Sequence, residues 1–174
     1  MTRICVTSSS FSSNSRLRER LLKSFNNVIF NDHGGRLTPE EVIDCLVGSD
    51  GAIVGLESIN RKMIERCNDL KIIAKYGVGL DNLDLHALSE HNVSVGWTPG
   101  TNKRSVAEMV VGFMICLKRN LYQTSQQLKR GEWNKSGGEQ LSGKRVGIIG
   151  VGNTGKEVVT LLIPFRCQIL GNDI

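Results

Sequence analysis

Lys144-Arg145-Val146-Gly147-Ile148-Ile149-Gly150-Val151-Gly152-Asn153-Thr154-Gly155 is the stretch on which the fold turns. Its first six residues, a basic pair followed by the apolar and partly β-branched Val146-Gly147-Ile148-Ile149, read as a strand. The strand runs straight into Gly-x-Gly-x-x-Gly, and a helical stretch, Lys156 to Ile163, follows at once. A bare glycine triplet of this kind is a weak signal. Here it sits between strand and helix, and an acid, Asp173, ends a second strand (Cys167 to Gly171) about twenty residues on, which makes it a strong one.

Each position then has a physical task. Gly150 permits the tight turn, Gly152 lets the backbone approach a pyrophosphate, and Gly155 lets helix and strand pack closely. Amides at the helix N-terminus, near Asn153 and Thr154, suit negative phosphates. Asp173 is placed to accept hydrogen bonds from the adenosine ribose and to repel a 2′-phosphate, so the cofactor expected is NAD rather than NADP. The alternative is a glycine-rich turn that holds no ligand.

Upstream, apolar runs alternate with helical stretches. Ile4 to Thr7, Val28 to Phe30, Gly51 to Val54, Lys71 to Lys75 and Val93 to Val95 read as strands. Helices are expected near 15–24, 39–47, 60–66 and 83–91, the second opened by Thr38 as N-cap, Pro39 in the first turn and Glu41 in capping-box position. A repeating βα pattern implies a parallel sheet with helices on both faces, here of about five strands in the manner of flavodoxin. The serine-rich run Ser8 to Ser13 lacks the glycines of a phosphate cradle, so it reads as a polar loop in which Ser13 or Asn14 caps the next helix.

Between 106 and 117 the chain is apolar almost all round, which predicts a helix buried on most sides, with Asn102 or the pattern Ser105-x-x-Glu108 as alternative caps. The polar stretch 120–143 reads as an arm or linker with Trp133 as its one large apolar anchor. Residues 99–174 carry 11 basic and 5 acidic side chains and are the basic part of a chain of net charge +5. With only 5% aromatic residues there is no stacking platform, so nucleic acid is not an expected partner. Five scattered cysteines without a CxxC pair suggest neither a disulfide framework nor a metal site, and no run is long enough to span a membrane. A reducing cytoplasm is the expected compartment.

Three further stretches carry a resemblance. Lys75-Tyr76-Gly77-Val78-Gly79-Leu80-Asp81-Asn82, then Thr98-Pro99-Gly100-Thr101-Asn102 running into Ser105-Val106-Ala107-Glu108, then Arg130-Gly131-Glu132-Trp133-Asn134, stand in order before the glycine turn. From about Asp50 onward the chain resembles the D-2-hydroxyacid dehydrogenases, phosphoglycerate dehydrogenase-like members above all. The resemblance implies a flavodoxin-like substrate domain at 1–98 and the opening part of a Rossmann NAD-binding domain at 99–174, with the active site in the cleft between them.

It also implies roles. Backbone amides of Gly77, Val78 and Gly79 would meet the carboxylate of a 2-oxo or 2-hydroxy acid, and Asn102 would lie near substrate and cofactor. Val106 would line the nicotinamide pocket, and the arm containing Trp133 would help build a homodimer. Glu108 reads as a capping or interdomain partner rather than an acid-base group. The arginine, glutamate and histidine that carry the family's chemistry match positions beyond Ile174, so these 174 residues are expected to be inactive alone. The alternative is a non-catalytic NAD-binding, dimerisation or regulatory module. Three departures stand out: Trp97 replaces a small polar residue, Arg166 stands where a glycine commonly follows the helix, and Glu57 occupies a substrate loop where a carboxylate would repel phosphate.

Overall fold

Four-residue apolar runs set the pitch of the first unit. A computed structural model describes residues 2–174, and the chain divides into units Met1–Pro99 and Gly100–Ile174. In the first, strands β1 (Arg3–Val6), β2 (Asn27–Phe30), β3 (Gly51–Val54), β4 (Ile72–Lys75) and β5 (Ser94–Gly96) form one sheet of order β2-β1-β3-β4-β5. Every pairing is parallel, with Ile4 beside both Val28 and Gly51, and Ile73 beside both Ala52 and Val95. That is the flavodoxin-like order, which reverses between β1 and β3 and places ligand sites at the carboxyl ends of the strands.

The connecting helices are α1 (Ser9–Ser12), α2 (Ser15–Leu22), α3 (Pro39–Leu46), α4 (Arg61–Ile64) and α5 (Leu85–Glu90). Cys5, Val54 and Ile73 from the sheet bury against Leu46, Ile64 and Leu88 from the helices. Thr38 and Glu41 form the expected capping box, and the hydrogen bond from the Thr38 amide holds the Glu41 carboxyl below its ordinary range. Of the two caps open for α2, Asn14 is the one used, accepting from the Leu17 amide at 3.1 Å. The serine run is not plain loop: Ser8 caps a helical turn of its own, because its hydroxyl reaches the Phe11 amide.

In the second unit, α6 (Lys103–Lys118) and α7 (Leu121–Lys129) precede β6 (Arg145–Ile149), α8 (Asn153–Leu162), a 3₁₀ turn at 163–165 and β7 (Gln168–Asn172). Strands β6 and β7 pair in parallel, Arg145 beside Gln168 through Ile149 beside Asn172. Ala107, Ile148, Val158 and Leu162 form the core, with Val110, Val111, Met114 and Ile115 packed against it.

Two expectations are corrected here. Only Ala107 of α6 is fully buried, and Met109, Phe113 and Leu117 are 53%, 59% and 77% exposed. One face of α6 packs on the core residues of α8, and two strands offer nothing to cover the other. The polar stretch after α6 is not all linker, since Leu121–Lys129 is helical. Asn120, with φ of 51°, breaks the chain between the two helices. Trp133 is 73% exposed and so is not the buried anchor that the sequence suggests. Arg166 also takes a left-handed φ of 53°, the backbone setting that a glycine would adopt freely. Among the described residues, no helix is long and apolar enough to cross a membrane.

The segment leading into β6 is tied down by Glu139, whose carboxylate meets Lys118 at 3.0 Å and Lys144 at 2.6 Å. Those two ammonium groups hold its pKa at about 2, against an ordinary 4.5. A carboxyl depressed on folding contributes stability above its unfolded value and loses it as pH falls through the folded one. Acid titration followed by circular dichroism should show the Glu139→Gln variant losing less stability than wild type between about pH 4.5 and 2. Equal slopes in that window would mean that solvent screens the tie completely.

Candidate functional site

The first group of candidate residues lies where β3 and β4 end. Gly77 has φ of 154°, and a Cβ there would come within 3.2 Å of the Lys75 side chain. A Cβ on Gly79 would stand 2.6 Å from the Asp81 carboxylate. Between them, the Val78 carbonyl accepts from the Trp97 indole at 2.9 Å, so the unexpected tryptophan braces this loop.

Beneath the loop runs a polar network. The Lys75 ammonium donates to the Gly55 carbonyl and to Asn82 Oδ1, each at 2.5 Å. The Asn82 amide donates to the carbonyls of Gly55 and Glu57, at 3.2 and 2.5 Å. Asn82 therefore joins two loops instead of capping α5, a task that Asp84 performs through the Ala87 amide. Burial lowers the Lys75 pKa, opposed by the nearby carboxylates of Asp81 and Glu57.

Glu57 is only 6% exposed. Its carboxylate accepts from the Thr7 hydroxyl and from the Gly55 amide, both at 2.8 Å. It thus faces inward, and the expectation that it repels a substrate phosphate is corrected: two donors, one just past β1 and one on the loop after β3, hold it under the surface. From sequence Asn82 reads only as a cap, with Asp81, of the turn after Gly79, and Thr7 and Lys75 read only as strand ends. A charged residue closing a buried strand, as Lys75 does, was the available signal.

The second group, in the other unit, surrounds the turn between β6 and α8. Gly150 has φ of 87° and its amide donates to the Asn172 carbonyl at 2.8 Å. A Cβ on Gly155 would fall 2.2 Å from the Gly150 carbonyl oxygen, so helix and turn touch backbone to backbone. A Cβ on Gly152 would meet nothing within 4 Å. Gly152 is the N-cap of α8 and supplies no capping side chain, which leaves the first-turn amides, those of Asn153 and Thr154 included, open to an anion. The space above Gly152 and the uncapped helix end fit a pyrophosphate.

Around that turn, Asn153 packs its side chain beside Gly100, where an added Cβ would be 3.0 Å away. Asn102 is the N-cap of α6 but makes no side-chain capping bond, which leaves its amide group without a capping role, and the expected Ser105–Glu108 capping box does not form, because both residues lie inside the helix. Glu108 instead takes Arg104 at 2.7 Å. Arg104 and Lys103 both reach Glu157 on α8, at 3.2 and 3.6 Å, and fasten the first turn of α6, with half-buried Val106, to the helix after the glycines. Asp173 lies just beyond β7, exposed, its carboxylate accepting from the Ile174 amide. Gly77, Val78 and Gly79 belong to the first unit, and the remaining candidates to the second.

A family model, the D-isomer specific 2-hydroxyacid dehydrogenase catalytic domain, matches residues 5–160. The chain belongs to this family. Among curated relatives, D-3-phosphoglycerate dehydrogenase of Methanocaldococcus jannaschii is 37% identical over 140 residues, covering 79% of this chain and 27% of that protein. Hydroxypyruvate reductase of Thermotoga maritima is 38% identical over 117 residues, covering 66% of this chain and 38% of that one. The solved structure of NAD⁺-bound 3-phosphoglycerate dehydrogenase from Entamoeba histolytica is 28% identical, with a TM-score of 0.76, over 99% of this chain and 54% of the other. This 2-hydroxyacid dehydrogenase chain thus spans about half of that structure and between a quarter and two-fifths of those relatives. The α/β fold, a flavodoxin-like parallel sheet followed by the first strands of a Rossmann unit, is the family's own.

Proposed function

We propose that this chain forms the substrate-holding part and the opening NAD-binding part of an NAD-dependent oxidoreductase acting on the CH–OH group of a D-2-hydroxy acid, phosphoglycerate dehydrogenase-like in type. The observation that carries the reading is the turn at Gly150–Gly155: a strand, a left-handed glycine, an open space over Gly152 and an uncapped helix end. The relatives' names support the class of substrate, a small 2-hydroxy or 2-oxo acid.

On this reading residues 1–98 hold the acid and residues 99–174 hold NAD. NAD held there would supply hydride exchange at the substrate carbon. The chain's own residues bind and orient. Amides of Gly77, Val78 and Gly79 receive the substrate carboxylate, in a loop braced by Trp97 and by the Lys75–Asn82 network. Asn102 offers its free amide to the reacting groups and Val106 gives the nicotinamide an apolar wall. The amides of Asn153 and Thr154 neutralise the pyrophosphate, and Asp173 accepts from the ribose hydroxyls. The exposed Leu121, Tyr122, Leu128 and Trp133 form the contact surface of a homodimer. A reducing cytoplasm suits a chain whose cysteines are all free.

Calorimetric titration of the purified chain with NADH tests this, with light scattering on the same samples for the dimer. Saturable binding is expected, weakened at least about tenfold, some 1.4 kcal/mol, in both Gly152→Asp and Asp173→Ala. Gly152→Asp has room for its side chain and should fold as wild type does. Binding that survives both substitutions, or is absent from a folded wild-type sample, would overturn the assignment of the turn.

A further inference from the structure

Away from both groups, the first unit holds a cleft of about 340 Å³ bounded by the edge strand β2, the start of β1 and helix α3. That volume is at the small end of the range that takes low-molecular-weight ligands. In its wall Asn31 is buried and fully bonded: its amide donates to the carbonyls of Thr7 and Gly35, and its oxygen accepts from the His33 amide. Those three bonds fix the loop after β2. Ile29 and Leu37 supply apolar surface.

The charged lining is Arg3, Glu41 and Asp44. Arg3 is half-buried, and its Nε is buried with no hydrogen-bond partner. The guanidinium lies beside the C-terminal end of α3, with Nη1 3.3 Å from where a Cβ on Gly48 would stand, and among the described residues it forms no ion pair or hydrogen bond. Asp50 accepts from the Arg3 backbone amide at 2.9 Å and gives its other oxygen to Lys71 at 2.6 Å, so it does not neutralise the guanidinium. Glu41 turns its carboxylate to the Thr38 amide and hydroxyl, at 2.7 and 3.0 Å. Asp44, on the same face of α3 as Glu41, is exposed, and its carboxylate has no ion pair or hydrogen bond among the described residues. A cation and an anion thus line one cleft without pairing with each other. A buried donor without a partner is uncommon in a folded chain and asks for a reason.

We propose that this cleft binds a small zwitterion, an α-amino acid with an apolar side chain. Its carboxylate pairs with the Arg3 guanidinium, whose planar fork of donors matches two carboxylate oxygens. Its ammonium meets Asp44, and its side chain lies on Ile29 and Leu37. A plain carboxylate would satisfy Arg3 and be repelled by Asp44 and Glu41, and a plain amine would be repelled by Arg3. Only a ligand with both charges matches both signs. Bound there, it joins α3 to β1 and the edge strand, and stabilises the first unit because the unfolded chain has no such site.

The probe is L-leucine, titrated into the full 174-residue chain and followed by backbone amide NMR shifts. Isocaproate and isoamylamine, which keep its side chain and lack one charge each, are titrated beside it. Leucine should give saturable shifts at Ile29, Asn31 and Asp44, and the two singly charged compounds should bind at least about tenfold more weakly. Asp44→Asn, a change at an exposed position that leaves the fold intact, should weaken leucine at least about tenfold and isocaproate not at all. Arg3→Met keeps the apolar stem, removes the charge and should weaken both; if it does not fold, Asp44→Asn decides. Four results would overturn the proposal: no leucine binding at millimolar concentration, shifts gathered at Gly77–Gly79 instead, unchanged leucine affinity in Asp44→Asn, or isocaproate bound as tightly as leucine.

Discussion

Gly155→Val is expected to unfold the second unit at markedly lower denaturant than wild type, a loss of about 3 kcal/mol or more, at the upper end of what overpacking costs. The site is buried, and a Cβ would stand 2.2 Å from the Gly150 carbonyl oxygen and 3.1 Å from its carbon. Those are backbone atoms, which cannot swing aside as the end of a flexible side chain can. Helix α8 would have to lift from β6, and Val158 and Leu162 would leave the small core that they form with Ile148 and Ala107. Domains of this kind are stable by only about 5–15 kcal/mol, so such a loss is large. Urea denaturation together with amide exchange across 145–172 reads it, and exchange should quicken there while β1, β3 and β4 stay protected. A midpoint equal to that of wild type would show that helix and turn are not in contact. Gly152→Asp is the paired control, because its side chain enters open space and should cost NADH affinity without costing stability.

Those two glycines show how far pattern alone reaches. A strand, three glycines and a helix at fixed spacing were enough to assign each a physical task, since the constraint is local and covalent. The strands of the first unit were readable for the same reason: each is a short apolar run bounded by polar residues, and Thr38, Pro39 and Glu41 announce α3 within four residues. What escaped depends on distant neighbours. Nothing in the composition of α6 says that only one of its faces finds a partner, or that Met109 and Phe113 stay outside. Helix α7 has apolar positions at Leu121 and Leu128 but no continuous stripe, so its polar residues outweigh the signal. Lys75 and Asn82 lie seven residues apart and meet only because the Gly77–Gly79 loop doubles back. Glu57 and Thr7 are 50 residues apart, and only the pairing of β1 with β3 joins them.

The Glu57–Thr7 contact is also where the second large effect is expected. Replacing Glu57 by leucine removes the acceptor of the Thr7 hydroxyl and of the Gly55 amide; the amide is left unpaired in a buried place, and the hydroxyl falls back on the Ile53 carbonyl at 3.4 Å. An orphaned buried donor costs about 1–3 kcal/mol and the exchange of a hydrogen bond to a charged group for a longer neutral one about 1 kcal/mol, so Glu57→Leu should destabilise the first unit by about 2–4 kcal/mol, less whatever its larger apolar side chain returns. Glu57→Gln keeps one carbonyl oxygen and should lose about half as much. Adding Thr7→Val to Glu57→Leu should recover part of the loss, because removing both partners of a buried bond is far cheaper than removing one. Urea midpoints of the three variants measure this coupling. The result bears on function as well as folding. If the carboxylate faced a bound acid, Glu57→Leu would change ligand preference and leave stability within about 0.5 kcal/mol of wild type, as surface substitutions do. With its oxygens held at 2.8 Å by Thr7 and Gly55, the carboxylate instead fixes the loop after β3 against the end of β1. On the proposed function, selectivity for one 2-hydroxy acid over another would then come from groups that reach the surface around Gly77–Gly79, of which Tyr76 and Trp97 are the largest exposed.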